Sequence, residues 1–396
     1  MNRHLFLLTL CQGLYLINNV VFIAINGLVG LQLAPSAWMA TLPLTAYVGG
    51  GALSAALVAR HQRQFGRQRT FSQGLGVAIF SAGLCALAAW QGSFGLLLLG
   101  TLLAGYYNAN GALYRFAAVE LVPASLREKA ISWVLAGGII GAVFGPNLAA
   151  ATRDVLPQPF LGAYLSLMGV AALALVLMRF IRFAPANTAA QNAANLAASR
   201  PLRDIARQPL FIIAVSAAAL SYGVMNLLMA ATPIAMAQCS HPFAATALVL
   251  EWHVLGMFVP SFFTGHLIKK FGVLPVMTAG LLLNLGCVAF ALTGTDVMNF
   301  LGALLALGVG WNFLYIGGTT LLTQTYRPEE KTTAQGAMDF CVYATMTVTS
   351  FSSGALVTTG GWQFMNYGSL LPLAALACAL IWLARLRGSQ ENRAPA

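Results

Sequence analysis

Residues 60–69 read Arg-His-Gln-Arg-Gln-Phe-Gly-Arg-Gln-Arg, four arginines with no acidic residue among them, and strongly apolar runs near 38–58 and 71–90 flank the stretch. A run of about 20 apolar residues is long enough to cross roughly 30 Å of hydrocarbon. Lys and Arg close to such a run resist translocation and stay on the cytoplasmic side. The stretch therefore reads as the cytoplasmic turn of a transmembrane hairpin.

The same pattern extends in both directions. Of 396 residues, 59% are apolar and 8% are charged, whereas a soluble domain is about a quarter charged. A window of about 19 residues yields twelve candidate spans near 5–27, 38–58, 71–90, 94–116, 129–152, 160–182, 208–236, 243–265, 273–294, 297–323, 335–358 and 361–385. All but two of the 21 Lys and Arg, namely Arg115 within a span and Arg153 in an opposite loop, then fall on the side of the termini. The expectation is a multi-pass protein surrounded by membrane lipid, with both termini cytoplasmic.

The net charge of +11 would suit nucleic acid if it formed one basic face; spread over short loops between spans, it indicates orientation instead, and no nucleic-acid partner is expected. The six Cys are scattered without zinc-like spacing, so neither a disulfide framework nor a zinc site is expected. The basic start, Met-Asn-Arg-His, leads into an apolar run longer than that of a signal peptide and reads as a retained first span.

A polar stretch rich in Ala, Asn and Pro divides the chain into a bundle at 1–183, a cytoplasmic linker at 184–207 and a second bundle at 208–396. The halves echo each other. Asn110 and Arg127-Glu128-Lys129 recur 202 residues later as Asn312 and Glu329-Glu330-Lys331, and Phe65-Gly66 recurs 206 residues later as Phe271-Gly272. Self-similarity at a fixed offset marks a repeat. The expected fold is all-α and integral to the membrane, twelve helices in two six-helix bundles. With its central linker and parallel repeat, the chain resembles the major facilitator superfamily over nearly its full length, and Gly66, Arg67 and Arg69 match the core of that family's signature loop. The acidic residue usual in that loop is replaced by Arg or Gln.

Enzymatic motifs are missing: there is no HExxH, GxSxG or GxxxxGK[ST], and only five His occur. Without clustered catalytic groups or a phosphate-cradling loop, the reading is a secondary transporter and not an enzyme. With only a short tail after the last span, a sensor carrying a cytoplasmic output domain is not the expected reading.

Within spans the polar and soft side chains are informative, since a charge at the bilayer centre costs about 2.5–3.5 kcal/mol on insertion scales. Arg115, Glu251 and Asp339 are candidates for ion coupling. Met225 and Met229 in span seven, and His253 and Met257 in span eight, each form an i,i+4 pair on one helix face, and successive spans are expected to be antiparallel neighbours. Thioethers and imidazole favour Cu(I), although an i,i+4 Met pair is also ordinary packing.

These residues, Met225-Asn-Leu-Leu-Met229 and His253-Val-Leu-Gly-Met257, resemble the MxxxM and HxxxM motifs of the CcoA-type copper importers. The resemblance implies copper import across the bacterial inner membrane for assembly of cbb-type cytochrome c oxidase, with Met225, Met229, His253 and Met257 as metal ligands. Copper is then the transported ion, with no resident cofactor, and a periplasmic or cytoplasmic copper chaperone is an expected partner. Cys239, beside His241 in the outer loop, and Met236 below it are the candidate relay to that site.

Two other readings stand beside it. An organic solute such as riboflavin would use aromatic and amide groups, which spans one and four offer as Tyr15, Asn18, Asn19, Tyr106, Tyr107, Asn108 and Asn110. Drug or cation export is suggested by Gly141 to Gly145-Pro146, which resembles part of an antiporter motif, although small residues at such spacing more often pack helices.

Overall fold

The computed structural model describes residues 2–123, 126–183 and 200–391, and all regular structure among them is helical. Span one is Arg3–Leu33, span two Leu42–Phe65 and span three Arg67–Gln91. Span four is Phe94–Gly111, followed by a short helix Tyr114–Ala117. Span five is built from Arg127–Ala136 and Gly138–Thr152, and span six is Leu161–Arg179. Span seven is Pro209–Gln238; span eight, Phe243–Phe258 plus Ser261–Phe271, bends by 42°. Spans nine and ten are Val273–Leu292 and Val297–Leu322.

The last helical stretch, Lys331–Glu391, breaks at Gly361, whose φ of 75° lies in the left-handed region, and so divides into spans eleven and twelve. Among the described residues, eight helical stretches are long and apolar enough to cross a membrane, and two of these, Ala37–Gln91 and Thr333–Arg387, hold two spans apiece. The bent pair and span four, whose polar end Tyr106 to Asn110 lowers its hydropathy, bring the number to the expected twelve.

The helices outrun their apolar windows. Span one, expected over 5–27, occupies Arg3–Leu33, because Leu28, Val29, Leu31 and Leu33 are themselves apolar and prolong the helix past the expected window. The bend in span eight follows from Pro260, which lacks the N–H that would continue the ladder.

The repeat extends to the backbone. Gly66 and Gly272 turn the chain between spans two and three and between eight and nine with φ of 77° and 88°, each donating its N–H four residues back, to Gln62 and Ile268. At equivalent places in the two bundles, Gly105 of span four lies against the backbone of Gly50 and Gly51 in span two, and Gly308 of span ten lies against that of His253 to Met257 in span eight. Close backbone approach through small residues is how membrane helices gain packing without a hydrophobic driving force. Gly141 and Gly145 likewise lie against Leu16, Ile17 and Val20 of span one, so the motif-like glycines of span five are in a helix contact.

The signature-like loop, short of its own acid, finds one elsewhere: Arg67 Nε donates to Glu120 beyond span four at 2.7 Å. Most of the expected linker, residues 184–199, lies outside the described residues. Where the chain resumes, Arg200 clamps Glu330 at the start of span eleven, with Nε 2.6 Å and a terminal guanidinium nitrogen 2.7 Å from the two carboxylate oxygens.

The bundles meet through span one against span seven, span two against span eleven, and span five against span eight. On the face opposite the termini this seam is closed by Gly27 against Ile234, by Thr41 against Ser350 and Gly354, and by Trp38 edge-on to Phe351.

Candidate functional site

Near the middle of span one, Tyr15 and Asn19 stand one turn apart and face span four. The Tyr15 hydroxyl donates to Asn108 Oδ1 at 2.6 Å, and Asn19 Nδ2 donates to the same oxygen at 3.4 Å. From the other bundle, Trp311 and Tyr315 of span ten, also one turn apart, stack with ring centroids 5.1 Å apart and planes 9° from parallel. Tyr222 of span seven meets both rings edge-on, at 5.0 and 5.2 Å. Edge-to-face and offset-stacked rings are the favoured arrangements.

Charge enters on the side nearer the termini. Arg115, on the short helix after span four, is an electrostatic neighbour of Tyr315, Asp339, Tyr222 and Tyr15. Asp339 and Tyr343, one turn apart on span eleven, are electrostatically coupled to it. The two bundles thus contribute tyrosines, a tryptophan, amides and two opposite charges that are electrostatically coupled across them. Two of these polar groups carry buried atoms without a hydrogen-bond partner, Trp311 Nε1 and Arg115 Nε. Such a lining offers flat faces for a ring and donors and acceptors for its edge.

Of the seven aromatic and amide residues picked out in spans one and four, Tyr15, Asn19 and Asn108 join in this network. Tyr106 turns away to pair with His61 Nδ1 at 2.7 Å, and Asn110 donates back to its own helix at the Tyr106 carbonyl. Tyr107 packs edge-on to Tyr15 at 5.7 Å within the first bundle. Asn18 is buried. The residues overlooked in the sequence are Tyr222, Trp311, Tyr315 and Tyr343; the i,i+4 aromatic pair of span ten was the available signal.

The sulfur and imidazole set has a different setting from the one expected. Met225, Met229, His253 and Met257 are all buried, but span eight packs mainly on spans ten and five and only slightly on span seven. This corrects the expected pairing of successive spans: the small residues Gly256 and Gly308 draw span eight onto span ten. His253 Nδ1 donates to the Leu304 carbonyl of span ten at 2.7 Å, while its Nε2 is buried without a partner. Span seven approaches span ten from another side, through Tyr222 and through Ala214 and Ala218 beside Gly318. Span ten is therefore the element shared by the two pairs. Among the described residues, no group of three or more His, Cys, Asp and Glu is placed to hold a metal ion.

Cys239 is half-buried at the end of span seven, Met236 is fully buried below it, and neighbouring His241 donates through Nε2 to the Thr295 carbonyl at 2.6 Å. Glu251 accepts a hydrogen bond from Asn147 of span five at 2.9 Å, a polar link between the bundles.

Comparison with known proteins adds to this geometry. The model of the Major Facilitator Superfamily matches residues 5–250 and 214–396. The chain is 39% identical over 375 residues to the riboflavin transporter RfnT of Brucella anthropi, covering 94% of each chain. It is 26% identical over 378 residues to the uncharacterized MFS-type transporter YddS of Bacillus subtilis, covering 92% of this chain and 86% of that one. Among solved structures, a D-xylose-proton symporter superposes with a TM-score of 0.74 at 14% identity, covering 95% of this chain and 96% of the other. A bacterial homolog of the human lysosomal transporter Spinster, inward-facing and occupied, gives 0.72 at 18% identity, covering 97% and 98%.

Proposed function

Since the chain belongs to the Major Facilitator Superfamily and is a membrane transporter, we propose that it carries a flat aromatic organic solute of the riboflavin class. The observation that carries this reading is the full-length similarity to a riboflavin transporter, 39% identity over 94% of both chains. The tyrosine, tryptophan and amide lining suits the same chemistry, because aromatic faces stack a fused ring system and amides satisfy its polar edge.

Transport proceeds by alternating access, the two bundles rocking about the central site. With the termini on the cytoplasmic side of a bacterial inner membrane, as the basic loops indicate, the seam at Thr41, Ser350 and Gly354 is the outer gate, closed in this conformation. The solute leaves toward the cytoplasm, past Arg115 and Asp339. Those two residues, or Glu251 at its Asn147 contact, couple the cycle to an ion gradient.

A second reading, copper import, rests on one observation: His253 Nε2 is buried and unpartnered, near span ten, which is also approached by the helix bearing Met225 and Met229. A neutral imidazole lone pair with thioethers is a Cu(I) donor set. One experiment separates the two. Cells unable to make riboflavin, expressing the protein, are given labelled riboflavin and labelled copper in parallel. Riboflavin accumulation above the empty-vector level, lost in Tyr15→Ala and Trp311→Ala but kept in Met225→Ala, is expected. Copper accumulation without riboflavin uptake would overturn the organic-solute reading.

A further inference from the structure

Arg153 runs against the charge pattern of the chain. It is the one Lys or Arg in the loops opposite the termini, a face that basic residues ordinarily avoid. Its side chain is only one-third exposed, and its Nε is buried without a hydrogen-bond partner, the Asp154 carboxylate standing 3.5 Å away. What surrounds the guanidinium is aromatic: its carbon lies 5.2 Å from the centroid of the Phe160 ring and 5.4 Å from that of Phe243. The two rings meet edge-on at 5.6 Å.

The rings belong to different bundles. Phe160 closes the loop between spans five and six, where its N–H donates to the Arg153 carbonyl at 2.8 Å and its φ is 66°. A bulky residue in the left-handed region is strained, and such strain persists only where the surroundings fix it. Phe243 opens span eight, beyond a loop tied to its own bundle by His241, whose Nε2 donates to the Thr295 carbonyl. Each side of the contact is thus anchored in its own bundle, and the guanidinium lies against both rings. A cation within about 6 Å of a ring centroid is attracted by the ring quadrupole. When the bundles part on this face, Phe243 leaves with span eight and the guanidinium passes into water, whose hydration offsets part of the lost attraction. A contact of this kind holds without locking.

We propose that Arg153 is a latch of the outer gate: its guanidinium, seated on Phe160 of the first bundle and Phe243 of the second, holds spans five and eight together in this conformation and releases them when the outer face opens. Thr41 and Gly354 close the same face between spans two and eleven, so the gate is fastened at two separate pairs of spans. The latch rests on the alternating-access reading and is independent of which solute is carried. Its chemistry belongs to arginine, since the planar guanidinium stacks on rings, whereas a lysine ammonium is a compact and strongly hydrated charge.

The test is a distance measurement between spin labels at the exposed positions Val155 and Ala244, one on each bundle, in the purified full-length protein without solute. Arg153→Gln should raise the ratio of the long-distance, open population to the closed one about 2- to 30-fold, the range of a cation–π contact from exposed to desolvated settings. Arg153→Lys should fall between the parent and Arg153→Gln. Phe243→Leu removes the ring from the other bundle but keeps an apolar side chain; its shift should be at least as large, and it carries the test by itself where Arg153→Gln folds poorly. The double variant should shift the ratio no further than Phe243→Leu alone, as for partners in one contact. An unchanged ratio in Phe243→Leu, or single shifts that multiply in the double variant, would overturn the latch. Such a failure leaves the solute reading standing, because riboflavin uptake and not these distances decides it.

Discussion

Thr41, at the start of span two, inserts its hydroxyl into the hydrogen-bond ladder of span eleven: Gly354 N–H donates to Thr41 Oγ1 at 2.9 Å, and the same hydroxyl donates to the Ser350 carbonyl at 2.7 Å. A Cβ at position 354 would strike Thr41 Oγ1, so the fit depends on glycine. This clasp joins the two bundles on the face opposite the termini and must part whenever that face opens. Two net hydrogen bonds are worth about 1–3 kcal/mol. Thr41→Val, and Gly354→Ala by displacement, should shift the conformational equilibrium roughly 5- to 150-fold toward opening on that face. Spin labels at the exposed positions Ala37 and Thr359 should show a larger long-distance population in both variants; distributions identical to the parent would remove the clasp from the gating account.

Glu330 gives a pH dependence with a definite sign. Hydrogen bonding from the Arg200 side chain, followed by that from the Arg327 backbone N–H, holds its carboxyl down at about 2, against an ordinary value of 4.5. A carboxylate with a depressed value contributes stability that is complete above the unfolded value and disappears as pH falls through the folded one. Melting of the detergent-solubilised protein should therefore show the clamp's contribution intact above about pH 4.5 and lost toward pH 2. Glu330→Gln should lack this contribution throughout, so the two melting curves should converge as the medium is acidified. Curves that remain parallel across that window would mean that the clamp adds nothing to stability.

The paired glycines predict which small residues are indispensable. Gly105 lies on the backbone of Gly50 and Gly51, and Gly308 on that of His253 to Met257, whereas a Cβ at Gly76 meets nothing within 4 Å. Leu at 105 or 308 would force apart helices with no room to yield, a penalty of about 1–3 kcal/mol or more. Gly105→Leu and Gly308→Leu should give little monodisperse protein on size exclusion, while Gly76→Leu should match the wild type. Equal yields from all three would contradict the close helix approach.

Much of this architecture is legible in the sequence because lipid imposes a coarse code. The basic loop around Gly66 and its echo at Gly272 adopt the same left-handed backbone, and apolar run length alone locates the spans. What hydropathy does not encode is which face of each span turns inward. A window average blurs Trp311 and Tyr315 into the leucines around them, so the stack facing Tyr222 is invisible until spans seven and ten are set side by side. Chain adjacency also misleads: the short turn at Cys239 to Pro242 suggests that spans seven and eight are partners, yet Gly256 and Gly308 carry span eight to span ten. Arg115 reads as a charge within span four, yet the span ends at Gly111 and Arg115 sits on the short helix Tyr114–Ala117 beyond it, while Asp339 does lie within span eleven.

His253 allows the two substrate readings to be weighed in one protein. Its Nδ1–H donates to the Leu304 carbonyl at 2.7 Å, tying span eight to span ten, and its Nε2 is left unpartnered in the interior. If the protein is an organic-solute carrier, the imidazole is a strut between helices. His253→Leu then costs about 1–3 kcal/mol through the lost hydrogen bond, visible as a lower melting temperature, while the riboflavin dissociation constant stays within about twofold, below the roughly tenfold change that 1.4 kcal/mol of lost binding would produce. Copper reverses the pattern: the Nε2 lone pair becomes a ligand, and the same substitution abolishes copper uptake. The expected outcome is the first, a less stable protein that binds riboflavin normally. Loss of copper accumulation in a folded His253→Leu protein, with parental accumulation in the wild type, would make the imidazole a metal ligand.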